Sequence, residues 1–492
     1  MKLSELLAAL PPVEPPDSDP DIRSIVSDSR RVEPGALFVA FRGEKADGYA
    51  FAAQAAGRGA AAILSDRARP AGVDLPWARA AHPREAAARL ASRLHGDPWK
   101  AMTLAGVTGT NGKTTTAVLL EGIFEKAFGA SGYIGSIGYR WKRTFREAPR
   151  TTPEGEDLAR MLAQMRDDGV PACAMEVSSH GLALDRVSGL RFDAAVFTNL
   201  TRDHLDFHET MENYAAAKEK LFALRKEAAP AVLNLDDPQG RRYLETVTPP
   251  TVSFSPSGDP RADVAARDLE LSLEATRATI VTRQGSFRLE SPLVGRFNVE
   301  NLVAAWAAAA ALGIAAPVLS EALATNRGAP GRLERVDAGQ PFPIFVDFAH
   351  TEDALRRLLS AIRELTDRRL ILVFGCGGDR DRGKREPMGR AAAELSDIPI
   401  ATSDNPRGED PGEILKEVER GLVRGGASKY LKFLDRREAI EAAMELANSR
   451  SVVVLAGKGH ETVQEIGGRR VPFDDRLVAA EAARRARRSA PA

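Results

Sequence analysis

Gly106-Val107-Thr108-Gly109-Thr110-Asn111-Gly112-Lys113-Thr114-Thr115 is the stretch on which the reading of this chain turns. An apolar run, Met102-Thr103-Leu104-Ala105, leads into it, and Ala117-Val118-Leu119-Leu120-Glu121-Gly122-Ile123-Phe124 follows with helical character. A strand, a glycine-rich turn and a helix form the context in which backbone N–H groups close around a phosphate. Glycines let those groups turn inward, and the helix N-terminus adds positive potential. Lys113 is placed to reach the β- and γ-phosphates, and Thr114 to offer its hydroxyl to Mg²⁺. The spacing departs from the usual G-x-x-x-x-G-K-[ST], because Val107 stands at the first glycine position and the glycines fall at 106, 109 and 112. A glycine-rich turn without nucleotide is the bland alternative, and the Gly-Lys-Thr-Thr ending argues against it.

Outward from the loop, the 492 residues suffice for about three domains. A hydrophobic content of 43% can fill several cores, and 28% charged residues suit a solvated surface. Lys plus Arg and Asp plus Glu balance at 68 each, so no net field draws the chain toward nucleic acid or an anionic membrane. Any anionic ligand must be held by a local site. Cys173 and Cys376 cannot make a disulfide framework and fit a reducing compartment, hence the cytoplasm. The N-terminus carries no basic region or cleavage signal. The longest apolar run, Leu302 to Leu319, could span a membrane on length alone. It is mostly alanine, and Gly313 and Pro317 punctuate it as they would the end of a buried helix. No membrane insertion is expected.

Three segments differ in texture. Residues 1–98 alternate short apolar runs, Ala36 to Ala40 and Ala60 to Leu64, with alanine-rich stretches. Residues 99–332 open on the phosphate loop and end at Arg327-Gly328-Ala329-Pro330-Gly331-Arg332, read as a linker. From 333 to 492 strand–helix alternation resumes, with Ile344 to Val346, Leu370 to Phe374 and Val452 to Leu455 as buried parallel strands. Ala480 to Ala492 reads as a fraying helix end.

Several polar clusters follow strand-like runs. Glu176, in Met175-Glu176-Val177-Ser178-Ser179-His180-Gly181, is a carboxylate at a strand end that suits Mg²⁺ beside a phosphate loop. The run from Val196 to His208 gathers Asp203, His204, Asp206 and His208, but it lacks cysteine and fits no usual zinc spacing. In Tyr214-Ala215-Ala216-Ala217-Lys218-Glu219-Lys220, nothing in the spacing separates Lys218 from Lys220, and a solvated lysine is the default. Gly375-Cys376-Gly377-Gly378-Asp379-Arg380, Ser403-Asp404-Asn405-Pro406-Arg407 and Gly457-Lys458-Gly459-His460-Glu461 each follow a strand. Ligand loops of doubly wound sheets lie at such carboxyl ends.

Gly109-Thr110-Asn111-Gly112-Lys113-Thr114-Thr115 resembles the ATP loop of the Mur ligases and of the related folylpolyglutamate synthetases, and further matches extend from residue 27 to 461. The resemblance implies a three-domain α/β enzyme with a central P-loop ATPase-type domain, a mostly parallel sheet and a C-terminal Rossmann-like domain. It implies UDP binding in 1–98, ATP binding in 99–332 and amino-acid binding in 333–492. Glu176 and Thr114 would hold one Mg²⁺, and His204 a second, together with Lys218 carbamylated by CO₂; the family's Tyr-x-x-x-Lys pattern selects Lys218. Asn298, Asn301, Arg332, Asp347 and His350 lie in segments similar to those touching the nucleotide. Phe348 and Glu352 stand where Tyr and Pro are commoner.

In the tripeptide-forming branch of the family, Thr151 and Thr152 of a Thr-Thr-Pro bind the UDP-muramoyl-dipeptide with Ser178 and Arg186. Leu184 replaces a glutamine that some members use there. Ser27-Asp28-Ser29-Arg30-Arg31 and Gly35 to Gly48 resemble the uridine-binding region, with Ser29 as its best contact. Asp404-Asn405-Pro406-Arg407 resembles the signature of members adding meso-diaminopimelate, which Arg380, Asn405, Arg407, Gly457 and Glu461 would contact. The implied reaction is ATP-dependent ligation of meso-diaminopimelate to UDP-MurNAc-L-Ala-D-Glu in peptidoglycan synthesis, by a cytoplasmic monomer. A lysine-adding ligase and a folylpolyglutamate synthetase are the rival expectations.

Overall fold

The computed structural model describes every residue except 11, 12, 14, 15, 44, 45 and 490–492. Glu44 and Lys45 of the uridine-like stretch and the last three residues of the tail therefore lie outside the described residues. The chain divides into two compact units. One comprises Met1–Arg267, Ile280–Phe287 and Glu300–Leu323, and the other Asp268–Thr279, Arg288–Val299 and Ala324–Ala492.

The first unit opens with a parallel sheet in the order Ser24–Val26, Ala36–Ala40, Ala62–Ser65, Trp77–Arg79. Every residue of Ala36–Ala40 is buried, as expected of a strand covered on both faces. In the same unit this sheet's neighbourhood is pinned by Arg31 to Asp157 at 2.6 Å, and by Ser27 Oγ donating to buried Glu156.

The larger sheet of this unit runs Thr251–Ser255, Ala231–Asn234, Ala194–Phe197, Thr103–Thr108, Ala172–Glu176, Gly132–Gly135, with parallel pairing throughout. Gly138–Trp141 and Thr144–Arg146 then add antiparallel edge strands. The strand Thr103–Thr108 lies between Ala172–Glu176 and Ala194–Phe197. The strands from Gly132–Gly135 to Ala172–Glu176 fill one side of it, and the chain then crosses to Ala194–Phe197 on the other, so its carboxyl end is a topological switch point. Crevices at such points are where open α/β sheets bind ligands.

The alanine-rich run forms the helix Arg296–Ala311, and Leu302 to Ala309 are buried without exception. It stops at Gly313, whose φ of +83° suits a left-handed helix end. Among the described residues no helix is long and apolar enough to cross a membrane.

The second unit holds a six-stranded sheet in the order Glu334–Val336, Ile344–Asp347, Ser451–Ala456, Arg369–Cys376, Ile398–Ser403, Leu431–Lys432. All pairs are parallel except the first. Apolar helices cover both faces, giving two separate cores, one centred on Leu358, Leu372 and Val418 and the other on Val373, Ile440 and Val453. A hairpin, Val463–Ile466 and Arg469–Pro472, follows the Ser451–Ala456 strand. The stretch 327–332, read from sequence as a linker, is irregular, with Gly328 and Gly331 at φ of +77° and +67°.

Arg436 and Asp475 form a fully buried pair in this unit, Nε and Nη2 donating to the carboxylate at 2.8 and 2.6 Å. Removing one partner strands the other charge in the interior. Arg436→Ala is expected to cost about 3–5 kcal/mol. Arg436→Met with Asp475→Leu should cost clearly less, and denaturant midpoints of the three proteins compare them. Equal losses for both variants would mean that packing, not charge, sets the cost.

Candidate active site

In the first unit the sequence-selected residues gather around the end of Thr103–Thr108. Gly112, at φ +84°, precedes the helix Lys113–Phe128. A Cβ there would run into Asn301 Oδ1, and one at Gly109 into Thr198 Oγ1, so both glycines are sterically required. Asn111 N donates to Asn199 Oδ1 at 2.9 Å, and Thr198 Oγ1 to Asn111 O at 2.6 Å. Thr116 Oγ1 reaches Asn301 Oδ1 at 3.3 Å. Lys113 Nζ donates to the loop's own carbonyls, Gly109 O at 3.0 Å and Thr110 O at 2.8 Å. Thr114 and Thr115 are buried at the first turn.

Glu176 is fully buried at the end of its strand. Its carboxylate accepts from Thr114 Oγ1 at 2.9 Å, Tyr133 OH at 2.6 Å, Ser136 N at 2.7 Å and Ser136 Oγ at 3.2 Å. Burial and the facing carboxylate push the Tyr133 phenol well above its ordinary pKa, so it stays a donor. Tyr133 and Ser136 were not among the sequence candidates. Their signal, a tyrosine inside a short glycine-bounded strand and a serine just after it, is too common to be read alone.

Lys218 sits on the helix Met211–Ala223, which Thr210 caps through Asn213 N. It is 1% exposed, donates to Gly109 O at 2.8 Å, and lies over the Tyr214 ring at 4.2 Å. Burial, reinforced by the charge of Lys113, drives its pKa well below the ordinary lysine value. Lys220 is instead about half exposed and pairs with Asp185 at 3.6 Å. The structure thus separates two lysines that spacing could not. His204 is in the left-handed region at φ +52°, with its ring 4.9 Å from that of His180 and 6.1 Å from that of Tyr214. Nearby His208 is buried, shares a 2.9 Å hydrogen bond with Ser179 Oγ, and is pushed down to about 4 by burial and the adjoining His180.

Thr151 and Thr152 face different surroundings. Thr151 Oγ1 meets Ser136 Oγ at 3.2 Å, beside Glu176. Thr152 is fully buried, its hydroxyl donating to Glu176 O at 2.9 Å and accepting from Ser178 N at 3.0 Å. Arg186 donates to Thr152 O at 3.2 Å and pairs with Glu154 at 3.1 Å. Ser178 caps the short helix Ser179–Ala183. Ser29 is buried and bonds Gln54 at 2.8 Å.

The second unit holds the other cluster. Arg332 lies over the Phe348 ring at 5.1 Å, so the aromatic plane is used although the hydroxyl of the commoner tyrosine is gone. Asp347 accepts from Leu333 N at 2.7 Å and Ala349 N at 2.8 Å, and burial raises its pKa despite Arg332. His350 Nδ1 shares a 2.8 Å hydrogen bond with Phe348 O. Asn298 Nδ2 donates to Val294 O at 2.9 Å.

Asp404, Asn405 and Pro406 are buried after the strand Ile398–Ser403. Asn405 Nδ2 donates to Glu461 Oε2 at 2.8 Å. Lys458, fully buried, donates to Val463 O at 2.7 Å, Glu461 Oε2 at 3.0 Å and Asn405 Oδ1 at 3.3 Å. Burial raises the Asp404 carboxyl, against the pull of Arg436 and Lys458. A Cβ on Gly457, at φ +116°, would stand 2.5 Å from Asp404 Oδ2. Arg380 is exposed. Its turn is held by Glu409, which accepts from Asp379 N at 2.6 Å and is itself pinned by buried Arg385 at 2.9 Å. Lys458, Arg385 and Glu409 were not sequence candidates, because their role depends on partners far along the chain.

The oxygen set of Thr114 and Glu176 suits a hard divalent cation that keeps waters and phosphate oxygens as its remaining ligands. Among the described residues no group of three His, Cys, Asp or Glu stands together as a metal site, and Mg²⁺ beside a nucleotide does not require one.

Family models match three stretches: the Mur ligase family catalytic domain over 21–95, the Mur ligase middle domain over 107–309, and the Mur ligase glutamate ligase domain over 331–459. Curated relatives named UDP-N-acetylmuramoyl-L-alanyl-D-glutamate–2,6-diaminopimelate ligase include that of Solibacter usitatus, 44% identical and covering 98% of both chains. That of Gloeobacter violaceus is 46% identical, again over 98% of each. The chain belongs to the Mur ligase family. A solved structure bearing the same ligase name is 35% identical, covers 94% of this chain and 95% of its own, and superposes at a TM-score of 0.73. The folylpolyglutamate synthase of Thermotoga maritima, 18% identical over 75% of this chain and 89% of its own, shares the Mur ligase fold at a TM-score of 0.60. As a Mur ligase the chain is an ATP-dependent, amide-forming enzyme.

Glu300, next to Asn301, is pushed up to about 7 by burial and by Asp236 and Asp237. A carboxyl raised in the fold contributes its full stability below the unfolded pKa, and loses it as pH climbs through the folded value. Glu300→Gln should therefore raise the melting temperature at pH 8 relative to the parent and give no gain at pH 4.5. A gain independent of pH would count against this titration.

Proposed function

We propose that this Mur ligase joins meso-diaminopimelate to the D-Glu carboxylate of UDP-MurNAc-L-Ala-D-Glu, in the cytoplasm, as a step of peptidoglycan synthesis. The observation that carries the reading is the Asp404-Asn405-Pro406-Arg407 turn, assembled with Gly457 and Glu461 at the carboxyl ends of two parallel strands. The full-length curated relatives that bear the ligase name support it. The proposal keeps three domains, 1–98, 99–332 and 333–492, in a monomer.

Catalysis follows from the residues of the first unit. ATP phosphates take the loop amides and the ammonium of Lys113, replacing its bonds to Gly109 O and Thr110 O. The D-Glu carboxylate oxygen attacks the γ-phosphorus and ADP leaves. The diaminopimelate amine then attacks the acyl carbon, and the tetrahedral intermediate collapses as the C–O bond to phosphate breaks and nitrogen gives up one proton, which the departing phosphate can take. Lys113 stabilises charge on the transferred group throughout. Thr151, Ser178 and Arg186 orient the muramoyl substrate, with Thr152 bracing them from beneath, and Ser29 serves the uridine end. Asn301 is a further nucleotide residue of the first unit, and Asn298, Arg332, Asp347 and His350 are the nucleotide residues proposed for the second.

Thr114 and Glu176 would hold one Mg²⁺, and His204 with carbamylated Lys218 a second. These ions supply positive charge to the phosphates. The donor chemistry fits. Burial drives the Lys218 pKa well below the ordinary lysine value, which favours the neutral amine, the form nucleophilic toward CO₂; the carbamate formed, with release of a proton, would turn a cation into an oxygen ligand.

Two experiments test the reading. Lys113→Ala should lower kcat by about 10²-fold or more, since a charge-assisted contact is lost in the transition state. Near-parental turnover would remove Lys113 from that role. Separately, ADP release with the UDP-muramoyl-dipeptide and a panel of amino acids should favour meso-diaminopimelate over L-lysine by about 10²-fold, because only the former brings a distal carboxylate to Arg407. Arg407→Ala should erode that preference mainly through KM. Equal use of lysine by the parent enzyme would leave the lysine-adding reading standing.

A further inference from the structure

Arg407 is held from several directions. Its Nε donates to Glu465 Oε2 at 3.0 Å, and its Nη1 to Gly378 O at 2.8 Å. A guanidinium carries five N–H groups, so one on Nη1 and both on Nη2 remain for a ligand. The backbone is fixed by the same hairpin that carries Glu465. Arg407 N donates to Glu465 O at 2.9 Å, and Gly467 N to Arg407 O at 2.7 Å. The residue is thereby kept at φ +52°, a conformation uncommon for an arginine. Glu465 N in turn donates to Asn405 Oδ1 at 3.0 Å, which ties the hairpin to the Asp404–Arg407 turn. A Cβ on Gly377 would stand 2.9 Å from Arg407 Nη1, so the guanidinium packs against a glycine.

Among the described residues Glu465 is the carboxylate paired with Arg407. Both are partly exposed, at 26% for the arginine side chain and 40% for the glutamate. The pair occupies the Nε edge and leaves the Nη edge for an incoming carboxylate. When the bound amino acid lacks a distal carboxylate, Arg407 still has a counter-charge.

We propose that Glu465 is a specificity-determining positioning residue for the amino-acid substrate. It orients the Nη edge of Arg407, and its charge limits how strongly the enzyme rejects amino acids without a distal carboxylate. The inference rests on the reading that Arg407 receives the distal carboxylate of diaminopimelate. Glu465→Gln keeps an acceptor for Nε and removes the charge. Diaminopimelate then meets an uncompensated guanidinium, while the distal ammonium of lysine meets an unscreened cation.

The test is the ratio of kcat/KM for meso-diaminopimelate and L-lysine in the full enzyme with ATP and the UDP-muramoyl-dipeptide. Glu465→Gln should raise the ratio by about 3- to 10-fold, through opposite changes in the two KM values with kcat held. Glu465→Asp, which keeps the charge, should stay within about 2-fold of the parent. An unchanged or lowered ratio in Glu465→Gln overturns the role of Glu465, as does a loss confined to kcat. A parent enzyme that does not use diaminopimelate overturns the functional reading itself. That outcome is separable from the others, because it appears before any substitution is made.

Discussion

The buried carboxylate of Glu176 is the constraint on which the first unit's site is built. A charge removed from water must be met by donors, and here four converge on it from two parts of the chain. Thr114 brings the first turn of the phosphate-loop helix. Tyr133 and Ser136 bring the end of the neighbouring strand, and the backbone carbonyl of Glu176 itself anchors Thr152. The same side chain that suits a cation therefore sets the distance between the nucleotide loop and the Thr151–Pro153 turn.

A second buried charge organises the other unit. Lys458 loses all exposure and is compensated by the Val463 carbonyl, Glu461 and Asn405. The ammonium fixes both the acceptor Glu461 and the amide orientation of Asn405, whose Oδ1 must face the donors and whose Nδ2 must face Glu461. An ion pair with its cation buried and its carboxylate partly exposed is weak evidence for stability, since desolvation of the ammonium offsets much of the attraction. Its value lies in specifying one arrangement of three side chains that would otherwise each have several.

What the sequence made legible was local. The strand–loop–helix around Gly109 to Thr115, the buried strands, and the helix end at Gly313 all depend on residues within a few positions of one another. The polar turns at strand ends were legible because parallel sheets expose their ligands there. Less could be read where a side chain's surroundings come from afar. Thr151 and Thr152 are adjacent and chemically identical, yet one lies beside the carboxylate of Glu176 and the other is sealed beneath it. Lys218 and Lys220 differ by two positions on a helix of 3.6 residues per turn, which puts them on different faces. Only the resemblance chose between them; the structure buries Lys218 and leaves Lys220 about half exposed. The left-handed backbone of His204 and Arg407 carried no signal at all, because neither residue type favours it and tertiary contacts impose it.

The two networks also differ in what a substitution can do. Lys113, Glu176 and Lys218 are tied to the loop proposed to hold the ATP phosphates, so on that proposal a change there alters the stabilisation of developing charge. Arg407, Asn405 and Glu461 are tied to strand-end turns and a hairpin of the second unit, where the proposed contact is with a part of the amino acid that does not react. Binding energy from such remote groups is felt by ground state and transition state alike, so it enters KM before kcat. A Mur ligase can on this argument change which amino acid it adds by altering a turn and a hairpin while leaving its phosphate loop untouched. On the proposed reading, the carbonyl-capped and carboxylate-paired setting of Arg407 is what would make that part of the molecule a separable reader of side-chain charge.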